Sequence, residues 1–316
     1  MNVNTSIKKK QKILVILGQT ASGKSDLAVK LAQKFNGEII SADSRQVYKG
    51  LNIGSGKITK KEMAGIPHYL LDVASPKRIF TASQYQKLAK KTLKKIIKRG
   101  KLPIICGGTG LYINSLLYDY KFPEVAPQPK LRKKLEKLTT ENLFKKLQEL
   151  DQRRAQNIDR YNRRRLIRAL EIVLMTKLPV QTLATTCDSN NKISSYNALR
   201  IGIKKSPEEL KKLIKKRLLK RIKQGMIKEV KDLHYKNGLS WKRLDNLGLE
   251  YRYISRYLQG LITKKEMIEI LEKEIHRYAK RQMTWFKRDK DIIWQNIIGK
   301  GSPQKVFSIV RDWLGL

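Results

Sequence analysis

Acidic residues are scarce in this chain. Its 316 residues include 27 Asp and Glu against 69 Lys and Arg, a formal net charge of +42. An excess of that size favours a polyanionic partner such as nucleic acid, although lysines that merely decorate solvated helix faces account for part of it. Cysteine is nearly absent as well. Cys106 and Cys187 form neither a disulfide framework nor a metal-ligand spacing, which fits a reducing, cytoplasmic setting. The three histidines, His68, His234 and His276, stand too far apart to argue for a zinc site, and no Cys, His and carboxylate triad is evident. No segment approaches the roughly 20 apolar residues of a membrane span. The apolar run behind Lys8-Lys9-Lys10 stops at Gly18, too soon for a signal peptide. Internal repeats and low-complexity tracts are also missing.

What is present begins with Gly18-Gln19-Thr20-Ala21-Ser22-Gly23-Lys24-Ser25, a full G-x-x-x-x-G-K-[ST] loop. It lies between a strand-like run, Ile13 to Leu17, and a helix-like run, Asp26 to Phe35. In that context the pattern reads as a phosphate site. Glycines let backbone N–H groups converge on phosphate oxygens, Lys24 adds an ammonium, and the Ser25 hydroxyl can ligate Mg²⁺.

Strand, polar or glycine turn and helix then recur. Glu38 to Ala42 reads as a second strand ending in Asp43-Ser44-Arg45-Gln46-Val47-Tyr48, and Leu102 to Cys106 as a third, followed by Gly107-Gly108-Thr109-Gly110. The expectation is an α/β fold: a P-loop-type parallel sheet flanked by helices, with its ligand crevice outside the strands' C-terminal ends. From about Lys121 to Ser195 the pattern is helical without a convincing strand, after Pro123, Pro127 and Pro129. Three segments are therefore expected: a core over 1–120, an inserted all-helical subdomain over 121–196, and the rest of the core over 197–316. Leu199 to Ile203 restores a strand. Ser206-Pro207-Glu208-Glu209 reads as a capping box opening one long basic helix to about Tyr235, and Lys264 to Arg288 as a terminal helical region.

A P-loop hydrolase normally places a metal-supporting Asp at the end of a long apolar strand, and the strand ending at Cys106 has none. Asp72, after Leu70-Leu71, is the alternative candidate. Asp43 stands beside the expected crevice, as a turn or cap residue or as a general base next to a phosphorylated donor.

Taken in order, the P-loop, Asp43 to Tyr48, Gly54 to Lys57, Ile66-Pro67-His68, Gly107 to Tyr112, Arg164-Arg165-Leu166-Ile167-Arg168-Ala169-Leu170-Glu171 and Ala279 to Phe286 resemble the tRNA dimethylallyltransferase family. The resemblance implies transfer of a dimethylallyl group from its diphosphate to N6 of the adenosine just 3′ of the anticodon, with Mg²⁺ and release of diphosphate. The P-loop, Gly18 to Ser25, would then hold a leaving group, with Ser25 on the metal. Asp43 would accept the N6 proton, Thr109 would contact the reacting nucleotide or the diphosphate, and Arg221, or alternatively Arg217, would clamp diphosphate. The same resemblance assigns tRNA contacts to Asp43, Ser44, Arg45, Gln46 and Thr109 in the cavity, to Arg132 and Arg164 to Arg168 against the anticodon stem-loop, and to Lys280 and Arg281 on the last basic helix.

This chain departs from the family pattern at Gln19, where Pro is usual, at Tyr69, where a second His is common, and at Gly248-Leu249-Glu250-Tyr251, where Gly-Tyr-(Lys/Arg) is usual. It also lacks a C-terminal zinc-finger extension, and its length suits a bacterial form, expected to be a cytoplasmic monomer. Other readings are a P-loop small-molecule kinase, a prenyltransferase acting on free adenine nucleotides, and an RNA-binding protein without activity. The cluster Arg163 to Arg168 argues against the second. The intact Lys24, Ser25, Asp43 and Thr109 argue against the third.

Overall fold

The computed structural model describes residues 10–180, 196–296 and 302–316; Cys187 lies outside them. The chain divides into two compact units, Met1–Asp119 with Asn190–Leu316, and Tyr120–Ser189.

The first unit opens with β1 (Lys12–Gly18), α1 (Lys24–Lys34), β2 (Gly37–Ala42), α2 (Lys60–Met63), β3 (His68–Tyr69), α3 (Ala82–Lys98), β4 (Leu102–Gly107) and α4 (Gly110–Leu117). The second consists of α5 (Pro129–Leu135), α6 (Thr140–Leu150), α7 (Gln152–Gln156) and α8 (Arg163–Thr176). The first unit resumes with β5 (Asn197–Lys204), α9 (Pro207–Lys223), α10 (Met226–Tyr235), α11 (Trp241–Leu247), α12 (Leu249–Leu258), α13 (Lys264–Phe286), β6 (Ile292–Asn296) and α14 (Ser302–Leu314).

The strands form one parallel sheet in the order β3-β2-β4-β1-β5-β6. Successive side chains of a strand point to opposite faces, and here both faces are buried. Ile13, Val15, Leu17 and Ile105 join a core with α3, α4, α9, α10, α12 and α13. Leu14, Ile16, Ile104 and Cys106 join another with Leu27, Leu31, Val306 and Val310 of α1 and α14. This two-sided burial is why β1 reads as an unbroken apolar run rather than an alternating one. The α/β architecture expected from the sequence is the one observed.

Three local expectations are corrected. The basic stretch after β5 is two helices, because Gly225, at φ +97°, caps α10 in a left-handed conformation that ends the first helix. Ser206 does cap α9, its hydroxyl accepting from Glu209 N, but Glu209 turns to Lys205 rather than completing the box. The region ending near Arg288 is not terminal, since the chain goes on to add β6 at the sheet edge and α14 over the α1 face. No helix among the described residues is long and apolar enough to cross a membrane.

Candidate active site

The β1–α1 loop lies at the C-terminal edge of the sheet. Gly18 has φ +141°, and a Cβ there would sit 2.3 Å from Ile203 O on β5, so the loop can leave β1 only through glycine. Gly23, at φ +88°, is the N-cap of α1 and offers no side chain, leaving the helix N-terminus open to an anion. Lys24 Nζ folds back to Gln19 O. Ser25 is exposed on the first turn, while Ser22 is buried and its hydroxyl has no partner among the described residues.

Asp43 follows β2, which is separated from β1 by β4; strand adjacency therefore does not bring it to the loop. The β4–α4 turn does. Thr109 N donates to Ala42 O at 3.1 Å, and Thr109 Oγ1 accepts from Ser44 N at 3.1 Å. Thr109 is thus a strut between the two turns. Asp43 Oδ1 accepts from Arg45 N at 2.8 Å and Gln46 N at 3.2 Å, and no hydrogen bond to Oδ2 is found among the described residues. One carboxylate oxygen orients the group, and the other is left for chemistry. Gln46 is tied to Ser41 and to Gly56 O.

A residue that sequence reasoning passed over closes this side. Gln282 of α13, 6% exposed, accepts from Thr20 N at 2.8 Å through Oε1 and donates to Gly108 O at 3.0 Å through Nε2. It joins the P-loop to the β4–α4 turn. Gln19 makes a longer tie, Nε2 to Ala279 O at 3.4 Å, which a proline there could not make.

On the other side, Glu229 of α10 gathers Asn52 N, Ile53 N and Gly54 N at 2.6 to 3.0 Å, and Tyr251 O–H donates to it at 3.1 Å. This fixes the Gly54–Lys57 loop beneath α9. Arg221 Nη1 donates to Gly54 O at 3.3 Å and to Glu250 Oε1 at 3.2 Å; Arg217 Nη2 makes only a long contact to Gly56 O at 3.5 Å. Asp72 is held by Lys57 Nζ at 2.6 Å, beside the outermost strand β3, and so is not the metal-supporting Asp of a hydrolase.

Electrostatics ties these groups together. Burial lowers the Lys24 ammonium to about 8; Arg217 pushes the same way, while Cys106 and Asp43 oppose. Burial lowers the Arg217 guanidinium to about 10, with Arg221 adding to the effect and Glu250 and Asp43 opposing it. Burial pushes the Cys106 thiol up to about 11, so it is no nucleophile. The phenol of Tyr278 is raised by burial and then by Asp43, which brings this α13 aromatic to the same site. Tyr112, also raised by burial, stacks on Tyr85 at 3.9 Å. Lys280 and Arg281 are exposed on α13.

The second unit has a hydrophobic core of its own. Leu166 and Ile167 lie in its hydrophobic core, 0% and 8% exposed, so their side chains pack the unit and are not offered to a ligand. Glu171, fully buried, accepts a bidentate pair from Arg132 (Nε 2.7 Å, Nη2 2.6 Å), one bond from Gln128 N at 2.7 Å and another from Arg168. Burial alone would raise its carboxyl; these donors outweigh that and hold it at about 2. Arg132 and Arg168 are thereby committed to the fold of the unit, while Arg164 and Arg165 are exposed.

A family model described as IPP transferase matches residues 46–289. The chain is 41% identical over 284 residues to a protein of Anoxybacillus flavithermus named tRNA dimethylallyltransferase, covering 90% of each. It also resembles the solved tRNA delta(2)-isopentenylpyrophosphate transferase of Staphylococcus epidermidis, with TM-score 0.71 at 36% identity, covering 96% of this chain and all of that one. A solved eukaryotic dimethylallyltransferase acting on tRNA gives TM-score 0.80 at 25% identity, over 96% of this chain and 80% of that one.

Proposed function

The chain belongs to the IPP transferase family, a transferase that prenylates tRNA, and on that premise we propose how its residues divide the work. The donor is dimethylallyl diphosphate. Its diphosphate lies in the Gly18–Ser25 loop, against the loop's backbone N–H groups other than that of Thr20, which Gln282 holds, and the Lys24 ammonium, with Arg217 as the guanidinium that completes the clamp. The acceptor is N6 of the adenosine 3′-adjacent to the anticodon, which has to leave its stack to reach the site.

Allylic substitution breaks the C1–O bond with its electron pair on the departing diphosphate, and forms the N6–C1 bond. The adenine amine is a weak nucleophile whose lone pair is delocalised into the ring, so both ends of the reaction need help. Preorganised cationic and N–H donors take up the charge that develops on the leaving oxygen. Asp43 Oδ2 takes the N6 proton as the new bond forms. The observation that carries this reading is the Asp43 carboxylate itself: Oδ1 is fixed by Arg45 N and Gln46 N, Oδ2 has no partner among the described residues, and Thr109 links its turn to β4.

Among the described residues no group of three or more His, Cys, Asp or Glu could hold a metal ion. Mg²⁺ usually keeps several waters and is bound through one or two carboxylates together with substrate phosphates, so a diphosphate donor would itself supply part of its coordination. Ser25, exposed at the loop's end, would be its protein ligand. The ion would neutralise charge on the departing diphosphate.

For tRNA, the exposed Arg164 and Arg165 supply cations for the anticodon stem-loop, and the exposed Lys280 and Arg281 supply cations for backbone phosphate. Ser44, Arg45 and Gln46 line the approach to Asp43. A cytoplasmic, monomeric enzyme completes the proposal. The test is transfer of labelled dimethylallyl from its diphosphate to unmodified tRNA by wild type and Asp43→Asn. The variant keeps the turn's acceptor oxygen and loses the base; turnover should fall at least about a hundredfold, with tRNA affinity within about twofold. Near-full turnover in Asp43→Asn would remove Asp43 as the base.

A further inference from the structure

Arg217 and Arg221 stand one turn apart on α9, where like charges repel, and their tips meet at the Gly54–Gly56 loop. Room for both exists only because Gly56 lacks a side chain: a Cβ there would lie 1.6 Å from Arg221 Nη2 and 2.5 Å from Arg217 Nη2. One buried carboxylate answers the pair. Glu250 stands on the first turn of α12, at the point where the sequence departs from its family, and is 9% exposed. Its oxygen takes the Arg221 Nη1 that also reaches Gly54 O, so Arg221 is committed twice. Arg217 makes no such pair of short bonds: beyond its long contact to Gly56 O, its charge is acted on first by Arg221 and Glu250 and then by Asp43 and Asp26, and it acts in turn on Lys24, so it faces the P-loop as well as the Gly54–Gly56 loop.

A cradle built from Lys24, Arg217 and Arg221 with no opposing charge would hold the departed diphosphate as firmly as the reacting one. Binding that is equally strong before and after the transition state does not raise turnover, and a retained product lowers it. We propose that Glu250 is the counter-charge of the diphosphate cradle, a positioning residue that keeps Arg221 off the leaving group and sets how readily the site releases it. The inference rests on the reading above that diphosphate occupies the Gly18–Ser25 loop.

The test is calorimetric titration of the purified full chain with inorganic diphosphate and Mg²⁺, together with kcat and KM for prenyl transfer. Glu250→Gln keeps an acceptor for Arg221 and removes the charge. It should bind diphosphate about tenfold more tightly, the order of effect of one like charge removed at an effective dielectric near 20, and lower both KM and kcat. Structural damage would loosen binding instead. The double variant R221Q/E250Q removes both charges and keeps the test open if Glu250→Gln alone fails to fold; it should return to within about threefold of wild-type affinity. Equal or weaker binding by folded Glu250→Gln, as an uncharged carboxyl would give, overturns the proposal. So does a double variant that binds as poorly as Arg217→Gln, because Arg221 would then be a ligand itself. Failure of the wild type to bind diphosphate would instead refute the cradle.

Discussion

Replacing Gln282 by Met should damage the P-loop from a distance. The two side chains have similar volumes, so the change leaves little cavity and removes only polar contacts. It orphans Thr20 N–H and Gly108 C=O, which Gln282 now joins at 2.8 and 3.0 Å. A buried backbone group without a partner costs about 1–3 kcal/mol. Gly108 is buried and carries that cost, whereas Thr20 is only half-buried and water can partly replace its bond. The sum is about 2–4 kcal/mol. For a chain of this size that corresponds to a fall in Tm of about 5–10 °C by calorimetry. Because the lost tie is to the phosphate loop, KM for dimethylallyl diphosphate should rise about tenfold, the loss expected when a positioned binding group is loosened. Affinity for tRNA should stay within about twofold. Thr284→Ala is the control: that side chain is exposed and bonds only to Lys280 O of its own helix, so its effect should stay within about 0.5 kcal/mol. A Gln282→Met protein with wild-type Tm and wild-type KM would refute the idea that this glutamine holds the two turns together.

Further outcomes follow from the same contacts. Diphosphate affinity of the free enzyme should decline as pH rises through about 8, because the buried Lys24 ammonium loses its proton there rather than near 10.5; bound diphosphate restores the proton, so calorimetry in buffers of different ionisation enthalpy should record proton uptake above that pH. Gly56→Ala should lower kcat/KM at least about tenfold, since its Cβ would displace both arginines and φ is +59°. Glu171→Gln should destabilise the second unit by about 3–5 kcal/mol by leaving Arg132 without its carboxylate. In the wild type the Glu171 contribution is fully present above about 4.5 and is lost as pH falls toward about 2, which acid titration followed by circular dichroism would register. The pair Arg164→Ala and Arg165→Ala should weaken tRNA binding and flatten its salt dependence by about two phosphate contacts, with single-turnover transfer on saturating tRNA little changed.

The sequence made the loop, the strands that flank it and the position of Asp43 legible, because each is a local pattern: a glycine-rich turn after an apolar run, a polar turn after another. It could not show what joins them. The Thr109 strut, the Gln282 bridge and the Glu229 anchor connect segments from 65 to more than 170 residues apart in the chain, and nothing periodic marks them. What distinguishes Arg217 from Arg221 was equally hidden, since both lie on a helix crowded with lysine and the bond from Arg221 to Glu250 is a tertiary contact. The break at Gly225 was masked by basic helical patterning on both sides. β6 was missed because it is a five-residue edge strand whose partner, β5, precedes it by nearly 90 residues. In the second unit the basic run 163–168 reads as one cationic patch. Its fold divides it: Arg168 turns inward to Glu171, Leu166 and Ile167 form core, and Arg164 and Arg165 face outward.

The central claim is tested most directly by incubating purified protein with Mg²⁺, labelled dimethylallyl diphosphate and two tRNA transcripts, one with adenosine and one with guanosine immediately 3′ of the anticodon, and mapping the product nucleoside by mass spectrometry. The expected result is N6-dimethylallyladenosine at that single position of the first transcript, one diphosphate released per modification, no product on the second, and no requirement for ATP. Label elsewhere in the tRNA, or ATP turnover without prenyl transfer, would contradict it.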